Sequence, residues 1–165
     1  KLCIILLMIV ALQGYCPILT KEMISIRDEA FANTLKIKQH KLKILKIIIN
    51  IEKPKTLQQA LDAIKRENAV GILQIRPIMV EEVNRILGYN KYKLEDRKDS
   101  VKSVEIFFTV QDHWNFNYHE KNACSIWNIG KPIYMIKTDE HKEALDKYWI
   151  KYKTLKNKLC NEGNR

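Results

Sequence analysis

From Thr56 onward, apolar and polar residues alternate with the period of an α-helix. One apolar stripe comprises Leu57, Ala60, Leu61 and Ile64. This spacing predicts an amphipathic helix whose apolar side faces a core. Thr56 and Gln59 have the spacing of a capping box, so we expect the helix to begin there.

Four further helices are expected downstream. Pro77 suits the first position of one helix, and Gly88 is a typical stop. Asp99 or Ser100 can cap the next. A short helix is expected around Lys121 to Trp127, and a last helix precedes a basic tail at 154–165. The pattern therefore predicts an all-α, mainly helical fold.

The N-terminal segment has the layout of a signal peptide. Lys1 is followed by an apolar run from Leu2 to Leu12 and then by Gly14, so residues 1–17 predict export. Cys16 could carry a lipid, although Tyr15 is bulky where lipoprotein signals have a small residue. The alternative is a buried N-terminal helix or strand.

Residues 18–55 form a basic, amphipathic lead-in. Its pattern is ambiguous, because residues 35–38 alternate like a strand while Ile44, Ile48 and Ile51 recur at helical spacing. The lead-in could pack against the following domain or lie on a membrane surface. Pro54 marks its boundary with one domain at 56–153, since a chain of 165 residues leaves little room for a second.

The net charge of +10 comes from 29 Lys and Arg residues against 19 Asp and Glu residues. Such a surface attracts nucleic acid, acidic lipids or anionic wall polymers, and it could equally be an unselected solvated surface. The sequence lacks zinc-finger, RRM and KH motifs, so no specific nucleic-acid partner is expected. The histidines and cysteines lack ligand spacing, and we expect neither a metal nor a cofactor. Cys124 and Cys160 could form a disulfide or stay reduced.

Three blocks of the sequence occur in an order that resembles a known family. They are Ala69 to Pro77 with Gly-Ile-Leu-Gln-Ile at its centre, Trp127-Asn128-Ile129-Gly130, and Lys147-Tyr148-Trp149-Ile150. This ordered set is similar to the lysozyme-like domain of soluble lytic transglycosylases, as found in small bacterial and phage proteins. The resemblance covers Thr56 to about Lys153 and implies a lysozyme-like helical fold that acts on peptidoglycan.

The resemblance also implies a mechanism based on one carboxylic acid. A partly buried Glu with a raised pKa protonates the glycosidic oxygen of the MurNAc-GlcNAc bond. In lytic transglycosylases the same Glu then deprotonates the 6-hydroxyl of the sugar, which gives a 1,6-anhydro product. By this resemblance Glu67 is the candidate acid, and the candidate substrate-binding residues are Gly71, Gln74, Trp127, Asn128 and Tyr148.

These candidates have structural alternatives. Gln74 could contact an N-acetyl group or stabilise a turn, and Trp127 could be a sugar platform or a core residue. Asn128 could bind substrate or brace the catalytic loop, and Tyr148 could approach the acid or be buried in the last helix. The family has a long loop between its Glu and the Gly-Leu-Met-Gln block, whereas Glu67 is close to Gly71. The loop is therefore either shortened with Glu67 as the acid, or the acid was deleted with it.

The leading hypothesis is an exported, cofactor-free lytic transglycosylase or muramidase that acts as a monomer in the periplasm, at the envelope or outside the cell. The second is a catalytically inactive protein that binds peptidoglycan or assembles envelope components. A third, different class is a basic protein that binds nucleic acid or a membrane surface. Its only support is the segment from Lys36 to Lys46.

Overall fold

The computed structural model describes residues 21–162, which form an all-α fold and confirm that prediction. The α-helices in this range are α1 (Lys21–Glu52), α2 (Leu57–Glu67), α3 (Pro77–Leu87), α4 (Ser100–Trp114), α5 (Glu120–Ile129) and α6 (Asp139–Glu162). Short 3₁₀ helices cover Leu94–Lys98 and Ile133–Met135. Extended pairing within residues 21–162 is limited to one antiparallel bridge between Val70 and Ile75.

The chain divides into two compact units between Gln39 and His40. In the first unit the structure describes the N-terminal part of α1, and every side chain from residue 25 to 39 is exposed. The signal-like segment 1–17, with Cys16, lies outside the described residues. The second unit starts at His40, upstream of the boundary that we expected at Thr56.

The core of the second unit contains the C-terminal part of α1, which we had placed in the lead-in. The largest fully buried side chains of this core include Ile44, Ile47, Ile48, Leu73, Ile106, Phe107, Ile126 and Tyr152. These come from α1, α4, α5, α6 and the turn before α3. Because α1 packs in this core and ends at Glu52, the Glu52 carboxyl group lies at the edge of the core.

Local sequence signals explain the helix boundaries. Pro77 is at the first position of α3, and Gly88 ends it with a φ of 77°. The Asp99 side chain accepts hydrogen bonds from the backbone N–H groups of Val101 and Lys102, which caps α4. The expected basic tail is instead helical through Glu162 as part of α6. The described residues contain no helix that is both long and apolar enough to cross a membrane.

Helix α2 begins as predicted but does not face the core. Thr56 accepts a 3.2 Å hydrogen bond from the Gln59 N–H, and Asn68 ends the helix with a φ of 49°. Its apolar stripe stays in solvent, with Leu57 77% exposed and Leu61 51% exposed. The expectation of a buried stripe was therefore wrong, because periodicity shows that a helix is amphipathic without showing what its apolar side meets.

Candidate active site

A cavity of about 380 Å³ opens in the second unit. It is lined by the C-terminal end of α1, by α2, by the turn at 69–76 and by the end of α5. The side chains that bear on its chemistry are Glu52, Glu67, Gln74, Arg76, Trp127 and Asn128. Most of the residues expected at the site therefore line one cavity, together with two that sequence analysis did not select, Glu52 and Arg76.

Glu52 is a largely buried carboxyl group at the end of α1. Its Oε1 accepts a 2.6 Å hydrogen bond from the Tyr148 hydroxyl. Burial raises the pKa of Glu52 and outweighs the hydrogen bond from Tyr148 and the positive charge of Arg76, both of which lower it. The negative end of the α1 dipole also disfavours a carboxylate there. Glu52 therefore keeps its proton to higher pH than an ordinary Glu.

Tyr148 is 5% exposed and lies in α6. Burial, followed by the negative charge of Glu52, raises the pKa of its hydroxyl well above the ordinary tyrosine value. The hydroxyl therefore stays protonated and donates to Glu52 whether that carboxyl is neutral or charged. Tyr148 is therefore buried in the last helix, and its hydroxyl contacts Glu52 rather than Glu67. Its expected contact with substrate stays a prediction.

Glu67 lies in the same cavity with its side chain 51% exposed. Its Oε2 is 3.5 Å from an Arg76 guanidinium nitrogen. The exposure follows from the position of α2, none of whose residues is buried. The partial burial that the resemblance implies for the acid is therefore not found at Glu67, and its assignment as the acid stays a prediction.

The turn that carries Gln74 is closed by backbone hydrogen bonds. Val70 and Ile75 exchange N–H to carbonyl bonds of 3.0 and 3.3 Å. Gln74 has a φ of 48° and donates through Nε2 to the Gly71 carbonyl at 2.8 Å. Its Oε1 is buried and accepts no hydrogen bond from any residue that the structure describes. Gln74 therefore stabilises the turn, and its expected contact with substrate stays a prediction.

Gly71 does not line this cavity but an adjacent groove next to α2. Its φ is 79°, and a Cβ atom there would lie 2.1 Å from the Arg97 carbonyl oxygen. The position therefore requires glycine for backbone packing. The shape of the turn accounts for a glycine at this position, and the expected substrate contact of Gly71 stays a prediction.

Arg97 holds this turn in place through hydrogen bonds to backbone carbonyls. It is 5% exposed and donates to the carbonyls of Asn68 at 2.6 Å, Leu94 at 2.7 Å and Ile75 at 3.2 Å. Burial lowers the pKa of its guanidinium. Sequence analysis missed Arg97, because its acceptors are backbone carbonyls that leave no side-chain pattern.

Trp127 and Asn128 brace the wall of the cavity. Trp127 is buried, donates to the Leu73 carbonyl at 3.2 Å and packs against Phe107 with ring centroids 4.9 Å apart. The structure therefore favours its reading as a core residue over that of a sugar platform. The Asn128 side chain donates to the Ala144 carbonyl at 3.4 Å, and the backbone carbonyl of Asn128 accepts from Arg76 at 3.4 Å.

The sequence marks Glu52 only by its position. It is the acidic residue that ends the apolar run of α1, directly before Lys53-Pro54. We had assigned that run to a lead-in and so did not consider its acid.

Residues 25–162 hold no group of three or more His, Cys, Asp or Glu side chains placed to bind a metal ion. The thiols of Cys124 and Cys160 are both free. Comparison of the chain with models of protein families, with curated proteins and with solved structures finds no match.

Proposed function

We propose that this protein is a peptidoglycan-cleaving glycosidase of the lytic transglycosylase or muramidase type, with Glu52 rather than Glu67 as its general acid and base. The observation that carries the proposal is a buried carboxyl group with a raised pKa at a solvent-open cavity, held by a tyrosine that cannot readily lose its proton. Such a group can donate a proton at a pH where an exposed Glu cannot.

The assignment of Glu52 also removes the departure from the family pattern. The resemblance implies an acid at a helix end, then a long loop, then the Gly-Leu-Met-Gln block. Glu52 ends α1, and residues 53–70 separate it from Gly71. On this reading the segment between acid and block contains α2, and no loop has been lost.

In the proposed reaction, the neutral Glu52 carboxyl protonates the glycosidic oxygen as the bond to C1 of the muramyl sugar breaks. Positive charge develops at C1 and the ring oxygen, and Glu52 becomes a carboxylate. The Tyr148 hydrogen bond favours this charged form, since a hydroxyl donor stabilises an anion. Glu52 then takes a proton from the 6-hydroxyl of the same sugar, or from water, as the new bond to C1 forms.

The neighbouring residues have supporting roles. Gln74 lines the cavity, and we assign it a contact with the acetamido group of a bound sugar. Arg76 lies in the cavity and its positive charge favours the Glu52 carboxylate. It is itself held by Glu67 and the Asn128 carbonyl. We therefore assign Glu67 to the positioning of Arg76. The reaction needs no cofactor, and its substrate requires that the protein be exported.

The proposal is tested by incubating the purified full chain with peptidoglycan sacculi and analysing the soluble fragments by mass spectrometry. Fragments ending in anhydro-muramyl groups indicate a lytic transglycosylase, and fragments that have gained water indicate a muramidase. The release of no fragments by a folded protein contradicts the proposal. Retention on sacculi in that case would favour the alternative of a non-catalytic peptidoglycan-binding or envelope-assembly protein.

A further inference from the structure

The rim of the Glu52 cavity carries more positive than negative charge. The lining residues include four cationic side chains, Lys53, Lys55, Arg66 and Arg76, and only two carboxylates, Glu52 and Glu67. Because burial raises the pKa of Glu52, its carboxyl group offsets even less of this charge. The cavity therefore presents an electropositive opening to a ligand.

Three of the four cations are not neutralised by the protein. Across residues 25–162, Lys53, Lys55 and Arg66 form no ion pair, whereas Arg76 is paired with Glu67. A second cavity beside α3 differs, because there Arg85 is bonded to Glu82 at 2.7 Å through both carboxylate oxygens. The charge at the Glu52 cavity is thus free to meet an anionic group of a ligand.

Hydrogen bonds of the backbone fix the main-chain positions of Lys53 and Lys55. Lys53 follows Glu52 directly, and its N–H donates to the Ile49 carbonyl at 2.8 Å. The Lys55 N–H donates to the Gln59 Oε1 at 2.9 Å. Pro54 between them restricts the chain further. The two lysines are therefore held at the mouth of the cavity, beside the proposed acid.

We propose that Lys53, Lys55 and Arg66 bind carboxylates of the peptide stems of peptidoglycan, so that the enzyme prefers glycan strands that carry their stems. This inference rests on the proposed function. The stem is attached through the lactyl group of the muramyl sugar, which is the sugar whose C1 bond Glu52 would cleave. A stem on that sugar therefore leaves the cavity close to the rim, where its carboxylates meet cations that lack a partner.

The test measures binding rather than cleavage. The Glu52→Gln variant of the full chain is titrated with purified, uncross-linked glycan strands that are free of teichoic acid, either with their stems or after an amidase has removed them. Into this background are introduced Lys53→Gln, Lys55→Gln and Arg66→Gln together. We expect the triple change to weaken binding of stem-bearing strands roughly tenfold at low salt, since each exposed ion pair contributes modestly. Stripped strands keep only the lactyl carboxylate that the amidase leaves on each muramyl sugar, so their binding should weaken by a smaller factor.

A matched control removes the same charge elsewhere. Lys46, Lys65 and Lys137 are exposed, lie outside the cavity and form no ion pair within residues 25–162. Changing these three lysines to Gln should leave the affinity for both kinds of strand within about twofold, because side chains outside the cavity form no direct ion pair with a stem carboxylate. Lys65 is an especially close control, since it precedes Arg66 in α2.

Three results overturn the inference. The first is equal loss of affinity for stem-bearing and stripped strands, and the second is an equal effect of the control changes. The third is recovery of the affinity when stripped strands carry teichoic acid, which would assign the rim to phosphate groups. Cleavage by the wild-type chain is scored separately. Stem-dependent binding without cleavage would contradict the proposed function alone, and cleavage without stem preference would contradict only the inference.

Discussion

The Tyr148 hydroxyl donates a 2.6 Å hydrogen bond to the Glu52 carboxyl group, joining residues that are 96 positions apart in the chain. Helix α1 supplies the acid and helix α6 supplies the donor. Burial raises the pKa of both groups. The pair therefore consists of a carboxyl group that keeps its proton to higher pH than an ordinary Glu and a hydroxyl group that stays a donor. The proposed single-acid glycosidase needs this arrangement.

Replacing Tyr148 by Phe should change the pH dependence of activity. The tyrosine hydrogen bond lowers the pKa of Glu52, so its removal raises that pKa further. The alkaline limb of the profile of kcat/KM against pH should therefore move to higher pH. The maximum should fall roughly 10-fold to 100-fold, because the acid loses its orientation. If kcat/KM falls at every pH while the alkaline limb stays at the same pH, Tyr148 does not act through Glu52.

Replacing Glu52 by Gln should remove a contribution to stability that decreases as the pH rises. The pKa of Glu52 is higher in the folded than in the unfolded chain, so its contribution to stability is full below its unfolded pKa and is lost as the pH rises through the folded pKa. The stability of Glu52→Gln relative to wild type should therefore increase as the pH rises from the unfolded pKa of a Glu, about 4, through the folded pKa. Urea unfolding at each pH measures this difference.

Glu82 provides a control of opposite sign for that experiment. Hydrogen bonds from Arg85 lower its pKa, so its contribution is present above the unfolded pKa and is lost as the pH falls. Glu82→Gln should therefore lose relative stability over the same rise in pH. Parallel trends for the two variants would contradict the assignment of a buried, raised carboxyl to Glu52.

The turn before α3 should tolerate no side chain at Gly71. Gly71 and Gly88 have nearly the same φ, 79° and 77°, but only at Gly71 would a Cβ atom collide, at 2.1 Å from the Arg97 carbonyl oxygen. Gly88→Ala should cost about 1 kcal/mol, for the left-handed backbone alone. Gly71→Ala should cost roughly 3 kcal/mol or more. Equal losses of unfolding free energy in the two variants, measured with urea, would show that the turn can move away from Arg97.

Arg97 should be irreplaceable even by Lys. Its guanidinium bonds three backbone carbonyls at once, those of Asn68, Ile75 and Leu94, and a lysine ammonium cannot span them. Arg97→Lys should cost about 2–4 kcal/mol, because buried carbonyls lose their donors. It should also speed hydrogen exchange at residues 68–75. Exchange at wild-type rates there would contradict the role of Arg97 in holding the turn.

The helix ends could be predicted from the sequence because their causes are local. Pro77, Gly88 and Asp99 each determine a boundary through the conformation or hydrogen bonding of a few neighbouring residues. The same holds for Thr56 at the start of α2. The sequence also predicted Gln74, Trp127 and Asn128 as residues of one site, from blocks whose order resembles a family pattern, and the structure places all three around one cavity.

The burial that distinguishes Glu52 from Glu67 could not be predicted from neighbouring residues, because burial is a long-range property. Glu52 and Glu67 both end helices, and each is followed by a turn residue or a basic residue. What distinguishes them is that α1 enters the core and meets Tyr148, whereas α2 buries none of its residues. No window of the sequence around either Glu contains that information.

The most direct test of the central claim compares Glu52→Gln with Glu67→Gln in the release of soluble fragments from sacculi, after circular dichroism has shown that both variants are folded. Removal of a general acid typically costs 10²-fold to 10⁴-fold in rate. Glu52→Gln should therefore lose at least about 100-fold, while Glu67→Gln keeps most of its activity, because it only loosens Arg76. The reverse result, with Glu52→Gln active and Glu67→Gln inactive, would contradict the account.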